Sequence, residues 1–162
     1  MVATAALVRR RPPSRDADEL VESVHDALRL VLHRVHPTLE GEGISMGQFW
    51  ALHLVSSLRT ASLSTVARHL SVSAPSACAS VDSLEAQGLV TRSRSERDRR
   101  AVSLALTAKG HRVETRVWSR IGQLMAEAAE ELPAEDVATA VRVFRELNRR
   151  LDPVPPARGG AP

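Results

Sequence analysis

The sequence is poor in aromatic residues, cysteine and lysine. Its 162 residues include no tyrosine, two tryptophans, two phenylalanines, one cysteine and one lysine. A single cysteine cannot form an intrachain disulfide or a multi-cysteine zinc site, which fits a reducing compartment. No apolar run approaches the roughly 20 residues that a membrane-spanning helix needs. Because the apolar stretch 3–8 precedes an arginine run, it also reverses the charge order of a secretory signal. We therefore predict a cytoplasmic protein that does not enter the membrane.

Patterns of catalysis and metal binding are missing as well. The serines follow no nucleophile-elbow pattern, and no glycine-rich loop of the phosphate-binding kind is present. His33 and His36 lie three residues apart, which suits a shared ion, but no cysteine or paired carboxylate stands at ligand spacing beside them. Solvated or hydrogen-bonded histidines explain this pair better. The sequence predicts a protein that is not an enzyme and has neither a metal site nor a cofactor.

What the sequence does have is arginine, and its excess of positive charge lies in the middle third. The net charge is +3, yet residues 61–112 carry 8 cationic and 4 anionic side chains and are therefore net +4. A local basic surface is typical of a polyanion-binding protein, and a solvated charged loop is the plainer interpretation. The arginine run at 9–11 likewise admits two interpretations, a contact with a phosphate backbone or a solvated tail.

The length and composition predict one globular domain between two disordered ends. Residues 1–15 contain the arginine run and a pair of prolines, and residues 153–162 are almost wholly Pro, Gly and Ala. Such compositions cannot bury enough apolar surface to become ordered. We therefore place the domain at residues 16–152.

Six helices are predicted from apolar spacing and capping signals. The first spans Asp16 to His36, ends at Pro37, and is apolar over more than half of its circumference, which suggests a second subunit as well as its own core. Predicted starts of the next four helices are Ser45 with a capping box, Ser64, Ser73 and Thr107. Pro133 starts the last, in which Val137, Val141, Phe144 and Leu147 are expected to face inward.

A hairpin is predicted between the fourth and fifth helices. Residues 89–94 are short and extended, Val102, Leu104 and Leu106 alternate with smaller residues, and a charged tip lies between the two segments. The order is thus α-α-α-α-β-β-α-α, a mainly helical chain with a small β-hairpin. A short helix, a tight turn, a second helix and a basic hairpin form the winged helix-turn-helix arrangement, whose second helix can enter the major groove of DNA.

Three segments of the sequence resemble the MarR family of transcriptional regulators. They are the helix-turn-helix at 63–73, the run Leu84-Glu85-Ala86-Gln87-Gly88-Leu89-Val90, and the wing Glu96-Arg97-Asp98-Arg99-Arg100 followed by Leu106-Thr107-Ala108-Lys109-Gly110. The resemblance covers about residues 16–150. It implies a homodimer held by residues 16–44 and 107–152, with residues 45–106 as the part that binds double-stranded DNA. It also implies a repressor that reads a palindromic operator and is released by a small, often aromatic, molecule.

The candidate DNA-binding residues lie on the second helix of the motif and on the wing. On that helix, serine hydroxyls and alanine methyl groups stand nearest the bases, and the wing arginines suit phosphates and a narrow minor groove. The resemblance implies that Asp98 braces the wing while Arg100, helped by Arg97 and Arg99, contacts DNA. The full set is Ser73, Ala74, Ser76, Ala79, Arg92, Arg94, Arg97, Asp98, Arg99 and Arg100.

The predicted recognition helix departs from the family pattern because residues 73–83 contain no Arg, Lys, Asn or Gln. Such residues make the bidentate contacts that distinguish bases, so discrimination should rest on the wing and on DNA shape. Asp82 would repel phosphates if it pointed outward. The departure leaves an alternative function open: a winged helix that serves protein interaction or dimerisation and binds DNA weakly or without specificity.

The candidate effector-binding residues are three of the few aromatic side chains and one histidine. They lie on helices that the resemblance places around an effector cavity. Aromatic side chains there can stack on a planar ligand, but at helical spacing they more often pack in the core. The candidates are Phe49, Trp50, His53 and Trp118.

Overall fold

The computed structural model describes residues 15–58, 61–94 and 102–151, and the chain divides into two compact units between Ile121 and Gly122. The predicted arm and tail lie outside the described residues, apart from Arg15, which begins the first helix. The described helices and strands are α1 (Arg15–Glu42), α2 (Met46–Ser57), β1 (Ala61–Ser62), α3 (Leu63–His69), α4 (Ala74–Ala86), β2 (Val90–Arg94), β3 (Val102–Leu106), α5 (Ala108–Ala129) and α6 (Ala134–Leu151).

This order of elements confirms the predicted mainly helical winged fold. The hairpin strands β2 and β3 pair antiparallel, with Val90 opposite Leu106 and Arg94 opposite Val102. Strand β1 was not predicted, because two residues are too few to show an alternating pattern. It pairs with the other edge of β3, which makes β3 the central strand of a three-stranded sheet. The wing strand β3 is therefore hydrogen-bonded along both of its edges.

The core of the first unit is formed by apolar side chains from its helices and sheet. The alternation of the hairpin and the three- and four-residue spacing of the helices turn these side chains to one interior. Leu84 of α4, for example, is fully buried, as are Ala77 and Val81 on the same face of the helix. The largest fully buried side chains are Phe49, Leu52, Leu84, Leu89, Val35, Val66, Val81, Val90 and Val117.

The prediction that Pro37 ends the first helix is wrong. Helix α1 continues through Pro37 to Glu42, and both Val35 and Leu39, on either side of the proline, are buried. Proline removes one hydrogen bond from a helix, but burial of the following turn offsets that cost. The residue after the helix is Gly43, whose φ of 68° is the left-handed conformation that glycine adopts readily.

The cap of α3 also differs from the prediction. Its N-cap is Ser62 rather than Ser64, and the Ser62 hydroxyl accepts a hydrogen bond from the Thr65 backbone N–H. Ser62 is the last residue of β1, so the unpredicted strand shifts the start of the helix. The caps predicted at Ser45 and Ser73 are confirmed, including the reciprocal bonds between Ser45 and Gln48.

The expectation that α6 turns an apolar side inward is not met in the described chain. No residue of α6 is buried, and Val141 and Phe144 are 43% and 46% exposed. Val137 and Leu147 are half-buried. The apolar spacing therefore predicted the helix correctly, while the four side chains expected to face inward are exposed or half-buried.

Candidate nucleic-acid interface and ring cluster

The connection between α3 and α4 is a tight turn of the helix-turn-helix kind. Ser71 adopts a φ of 53°, which is uncommon for a residue other than glycine. The turn is closed by two backbone hydrogen bonds, from the Ser71 N–H to the Arg68 carbonyl at 3.2 Å and from the Val72 N–H to the Ala67 carbonyl at 3.0 Å. The predicted reversal at Ser71 and Val72 is therefore confirmed, and α4 follows it directly.

The structure brings the four predicted base-contacting residues together at the start of α4. Ser73, Ala74, Ser76 and Ala79 are all exposed, whereas the opposite side of the helix is buried. Ser73 caps the helix by accepting a bond from the Ser76 N–H, and the two hydroxyl oxygens lie 2.8 Å apart. The two serines therefore support each other, which fixes their positions at the helix N-terminus.

Arg92 of β2 forms ion pairs with two carboxylates of α4. Its Nη2 is 2.6 Å from Oδ1 of Asp82, and its Nη1 is 2.7 Å from Oε2 of Glu85. The hydrogen bond from Arg92 lowers the pKa of Asp82, and the Cys78 thiol, 3.5 Å from the other oxygen of Asp82, acts in the same direction. Sequence reasoning treated Asp82 as a source of repulsion if it pointed outward, and it missed this cluster.

The rest of the predicted wing is only partly described. The backbone of Arg94 belongs to β2, while Arg97, Asp98, Arg99 and Arg100 lie outside the described residues. The brace assigned to Asp98 and the DNA contacts assigned to the arginines therefore remain predictions. What the structure does describe is the sheet that carries this loop.

The segment Thr107-Ala108-Lys109-Gly110 joins the start of α5 to the end of α4. The Thr107 hydroxyl donates to the Gly88 carbonyl at 2.7 Å and accepts from the Gly110 N–H at 3.0 Å. The Lys109 ammonium donates to the Gln87 carbonyl at 2.9 Å. A Cβ on Gly110 would lie 2.0 Å from the Leu89 carbonyl oxygen, so only glycine permits this approach. This part of the family-like motif is thus a joint between two helices.

A cluster of rings lies between α2 and α5 within the first unit. The His53 ring stacks on Trp118, with centroids 4.2 Å apart and planes inclined by 13°. Nδ1 of His53 is 2.8 Å from Oε1 of Glu114, which is 9% exposed. Trp50 meets the edge of His53 with centroids 6.1 Å apart. These residues, His53, Trp50, Glu114 and Trp118, are called the ring cluster below.

The structure divides the predicted effector residues into exposed and buried ones. Trp50 and Trp118 are 37% and 46% exposed, but Phe49 is fully buried and belongs to the core. Glu114 was missed, although it lies four residues before Trp118 on α5 and so shares its face. That spacing was the available signal.

Metal-binding clusters and membrane-spanning helices are absent from the part of the chain that the structure describes. Residues 15–58, 61–94 and 102–151 contain no group of three or more His, Cys, Asp or Glu side chains that could hold a metal ion. Over the same ranges, no helix combines the length and apolar character needed to cross a membrane.

Comparison with known proteins gives consistent matches. Residues 42–101 match the model of the MarR family. The HTH-type transcriptional repressor MdtR of Bacillus subtilis is 23% identical over 137 residues, which are 82% of this chain and 88% of that protein. A MarR family protein from Bacillus stearothermophilus superimposes with a TM-score of 0.76 at 23% identity, over 84% of this chain and 95% of that one.

A second solved structure is that of Staphylococcus aureus MarR in complex with salicylate and kanamycin. It gives a TM-score of 0.73 at 22% identity and covers 83% of this chain and 91% of that one. At these identities the structural likeness establishes the fold, and the family match falls on the helix-turn-helix and the wing strand β2. Residues 42–101 are thus similar to the MarR family of transcriptional regulators, and the fold of the chain is that of solved MarR family proteins.

Proposed function

We propose that the protein is a homodimeric repressor that binds a palindromic operator in double-stranded DNA. The observation that carries this proposal is the geometry of α3, its tight turn and α4, followed at once by the hairpin with its basic tip. Helix α4 enters the major groove, and the two wings of the dimer flank it. The similarity to the B. subtilis repressor supports repression as the mode of regulation.

Base contacts come from the exposed start of α4. The mutual hydrogen bonds of Ser73 and Ser76 hold their oxygens at the helix N-terminus, where backbone N–H groups and the helix dipole attract a phosphate. The methyl groups of Ala74 and Ala79 can contact thymine. Since α4 carries no basic residue, these contacts position the protein more than they discriminate among bases.

Most of the affinity comes from the wing arginines 94, 97, 99 and 100. Arg92 contributes less than its charge suggests, because two carboxylates of α4 already bind its guanidinium. Asp98 braces the loop that carries Arg97, Arg99 and Arg100. Phosphate and minor-groove contacts by arginine depend steeply on salt and on the width of the groove.

A small aromatic molecule regulates this binding at the ring cluster. Two exposed tryptophan rings in a chain with four aromatic residues offer a stacking surface for a planar ligand. The S. aureus relative in complex with salicylate and kanamycin supports binding of small molecules of differing charge within this fold. Bound ligand lowers the affinity for DNA by acting on α2 and α5.

The test is selection of genomic fragments by the purified protein, followed by anisotropy titration of the enriched duplex and a scrambled duplex at several salt concentrations. A palindrome with half-sites about one helical turn apart, bound at least about 10³-fold more tightly than the scrambled duplex, is the expected result. Equal binding to both duplexes would contradict specific regulation.

The role of the wing is tested by Arg100→Ala in the same titrations. Loss of one phosphate contact should weaken binding to every duplex and reduce the slope of log K against log salt by about 0.9. Arg34→Ala, an exposed arginine on α1, is the matched control and should leave the slope unchanged. An unaltered slope for Arg100→Ala would refute the wing contact.

A second function, a protein-interaction or dimerisation module with weak DNA binding, is favoured by one observation. The side of α4 nearest the wing presents Asp82 and Glu85, and the arginine beside them is already paired. This alternative predicts no enrichment of genomic fragments and weak, salt-sensitive binding to all duplexes. Specific enrichment would exclude it.

A further inference from the structure

The ring cluster already holds one planar nitrogen heterocycle, which is the side chain of His53. The imidazole stacks on the Trp118 indole with ring centroids 4.2 Å apart, and its Nδ1 lies 2.8 Å from Oε1 of Glu114. Trp50 meets the edge of the same ring. An aromatic face together with a carboxylate is the arrangement that binds planar cations bearing N–H groups.

We propose that Trp118 and Glu114 form a binding site for planar nitrogen cations, such as aromatic amidines, and that His53 is the resident occupant of this site. The inference rests on the proposed function only for its effect on DNA, since it names the ligand class of the same site. A ligand of this class replaces the imidazole on the indole face and donates its N–H groups to Glu114.

The negative charge of Glu114 determines that the site prefers a cationic ligand to an anionic one. This side chain is nearly buried, and charges interact more strongly in such surroundings than in bulk water. An anionic aromatic compound would meet a carboxylate and the negative faces of two indoles, all of which repel it. A cation is attracted by the same three groups, because the ring quadrupole favours positive charge above the ring.

The exposed rings provide access to the site. Trp118 is 46% exposed and Trp50 is 37% exposed, so each keeps part of its indole open to solvent. The His53 side chain is 27% exposed and the Glu114 side chain 12%. A ligand therefore approaches along the indole surfaces, and the carboxylate becomes available to it as the imidazole moves away.

Displacement of His53 would break a contact between helices α2 and α5. His53 belongs to α2, and its two partners belong to α5. Helix α2 also contacts α4, where the Gln48 amide donates to the Ser83 hydroxyl at 2.8 Å. Freeing α2 from α5 thus alters the support of the proposed recognition helix, which gives the ligand a route to DNA affinity.

Benzamidine and benzoate test the ligand class, because they have nearly the same shape and opposite charge. Both tryptophans of the chain lie in the ring cluster and tyrosine is absent, so intrinsic fluorescence reports on this site without DNA. We expect saturable quenching by benzamidine, with benzoate binding at least about 10-fold more weakly. Equal or tighter binding of benzoate, or no binding of benzamidine, would overturn the proposal.

Two substitutions test the roles of the individual groups. Glu114→Gln keeps the shape but removes the charge, and it should reduce the preference for benzamidine to within about 2-fold. His53→Ala removes the competing ring and should tighten benzamidine binding by about 10-fold, because the resident occupant no longer has to leave. His33→Ala, an exposed histidine on α1, is the control and should change neither value.

Unchanged preference in Glu114→Gln, or weaker benzamidine binding in a folded His53→Ala variant, would contradict the assignment. Circular dichroism melting checks the fold of each variant, and the wild-type comparison with Glu114→Gln decides the matter if His53→Ala does not fold.

DNA titrations keep the two proposals separate. Benzamidine binding by a protein that fails to bind DNA would support the site and contradict the proposed function, whereas DNA binding without benzamidine binding would do the reverse.

Discussion

At the scale of single residues, contacts that the family motif does not name explain why particular side chains are needed. Gly110 permits α5 to approach the Leu89 carbonyl, and Arg92 ties strand β2 to two carboxylates of α4. The first contact joins α5 to the residues just after α4, and the second joins α4 to strand β2. The position of the proposed recognition helix therefore depends also on residues outside that helix.

Gly110→Ala should destabilise the protein, although alanine is normally the better helix former. Its new Cβ would lie 2.0 Å from the Leu89 carbonyl oxygen, and relieving this overlap should cost about 2 kcal/mol. Gly122→Ala on the same helix is the control, because nothing beyond its adjoining helix backbone lies within 4 Å of its Cβ position. We expect that variant to be more stable by about 0.5–1 kcal/mol. Urea unfolding at one protein concentration measures both, and equal midpoints would refute the close approach.

Arg92→Gln should raise the pKa of Asp82 toward the ordinary aspartate value. The hydrogen bond from Arg92 is the main cause that lowers the pKa of Asp82, and the substitution removes it. Because the pKa is lower in the folded protein, this pair stabilises the fold above the ordinary aspartate pKa of about 3.9, and the contribution disappears as the pH falls through the folded-state value. Carboxyl carbon shifts in an NMR titration follow Asp82 directly. Arg34→Gln is the control, and an unaltered Asp82 titration in Arg92→Gln would contradict the ion pair.

At the scale of helices and strands, local signals were reliable where a side chain acts on its own backbone. The capping box at Ser45 and the cap at Ser73 were predicted because one oxygen and one N–H suffice to define them. The end of α1 and the start of α3 were missed because they depend on distant parts of the chain. Burial of Leu39 carries α1 past its proline, and pairing of β1 with β3 selects Ser62 over Ser64.

The revised cap of α3 leads to a test with two neighbouring serines. Ser62→Ala removes the acceptor of the Thr65 N–H and should lower the free energy of unfolding by about 1 kcal/mol. Ser64→Ala, an exposed residue inside the helix, should change it by less than about 0.5 kcal/mol. Thermal unfolding of both variants compares them. A larger loss for Ser64→Ala would restore the cap that the sequence alone predicted.

At the scale of the whole molecule, apolar side chains remain uncovered on α1 and α6. Leu28 on α1 is 53% exposed, and Leu151 at the end of α6 is 75% exposed. The sequence predicted amphipathic helices in both places, and the helices are present. The wide apolar surface of α1 suggested a second subunit, whereas the periodicity of α6 could not show whether its apolar face is covered by the same chain or by another one.

A homodimer would cover these faces, and light scattering should then give twice the 17.6 kDa of the chain. Phe144→Glu places a charge at an exposed apolar position of α6 and should shift the protein toward the monomer, because burying an unpaired charge is costly. Arg145→Gln, the exposed neighbour, should leave the dimer intact. A monomeric wild type at micromolar concentration would contradict the proposed homodimer.

The scarcity of lysine has a practical consequence for labelling. The chain has a single lysine, Lys109, and its ammonium is bonded to the Gln87 carbonyl where α4 ends. Amine-reactive dyes and surface-coupling reagents can therefore modify one side chain, at a helix joint and away from the exposed start of α4. Coupling there removes the ammonium group that holds the joint, so a protein immobilised through its lysine would be altered where α4 meets α5.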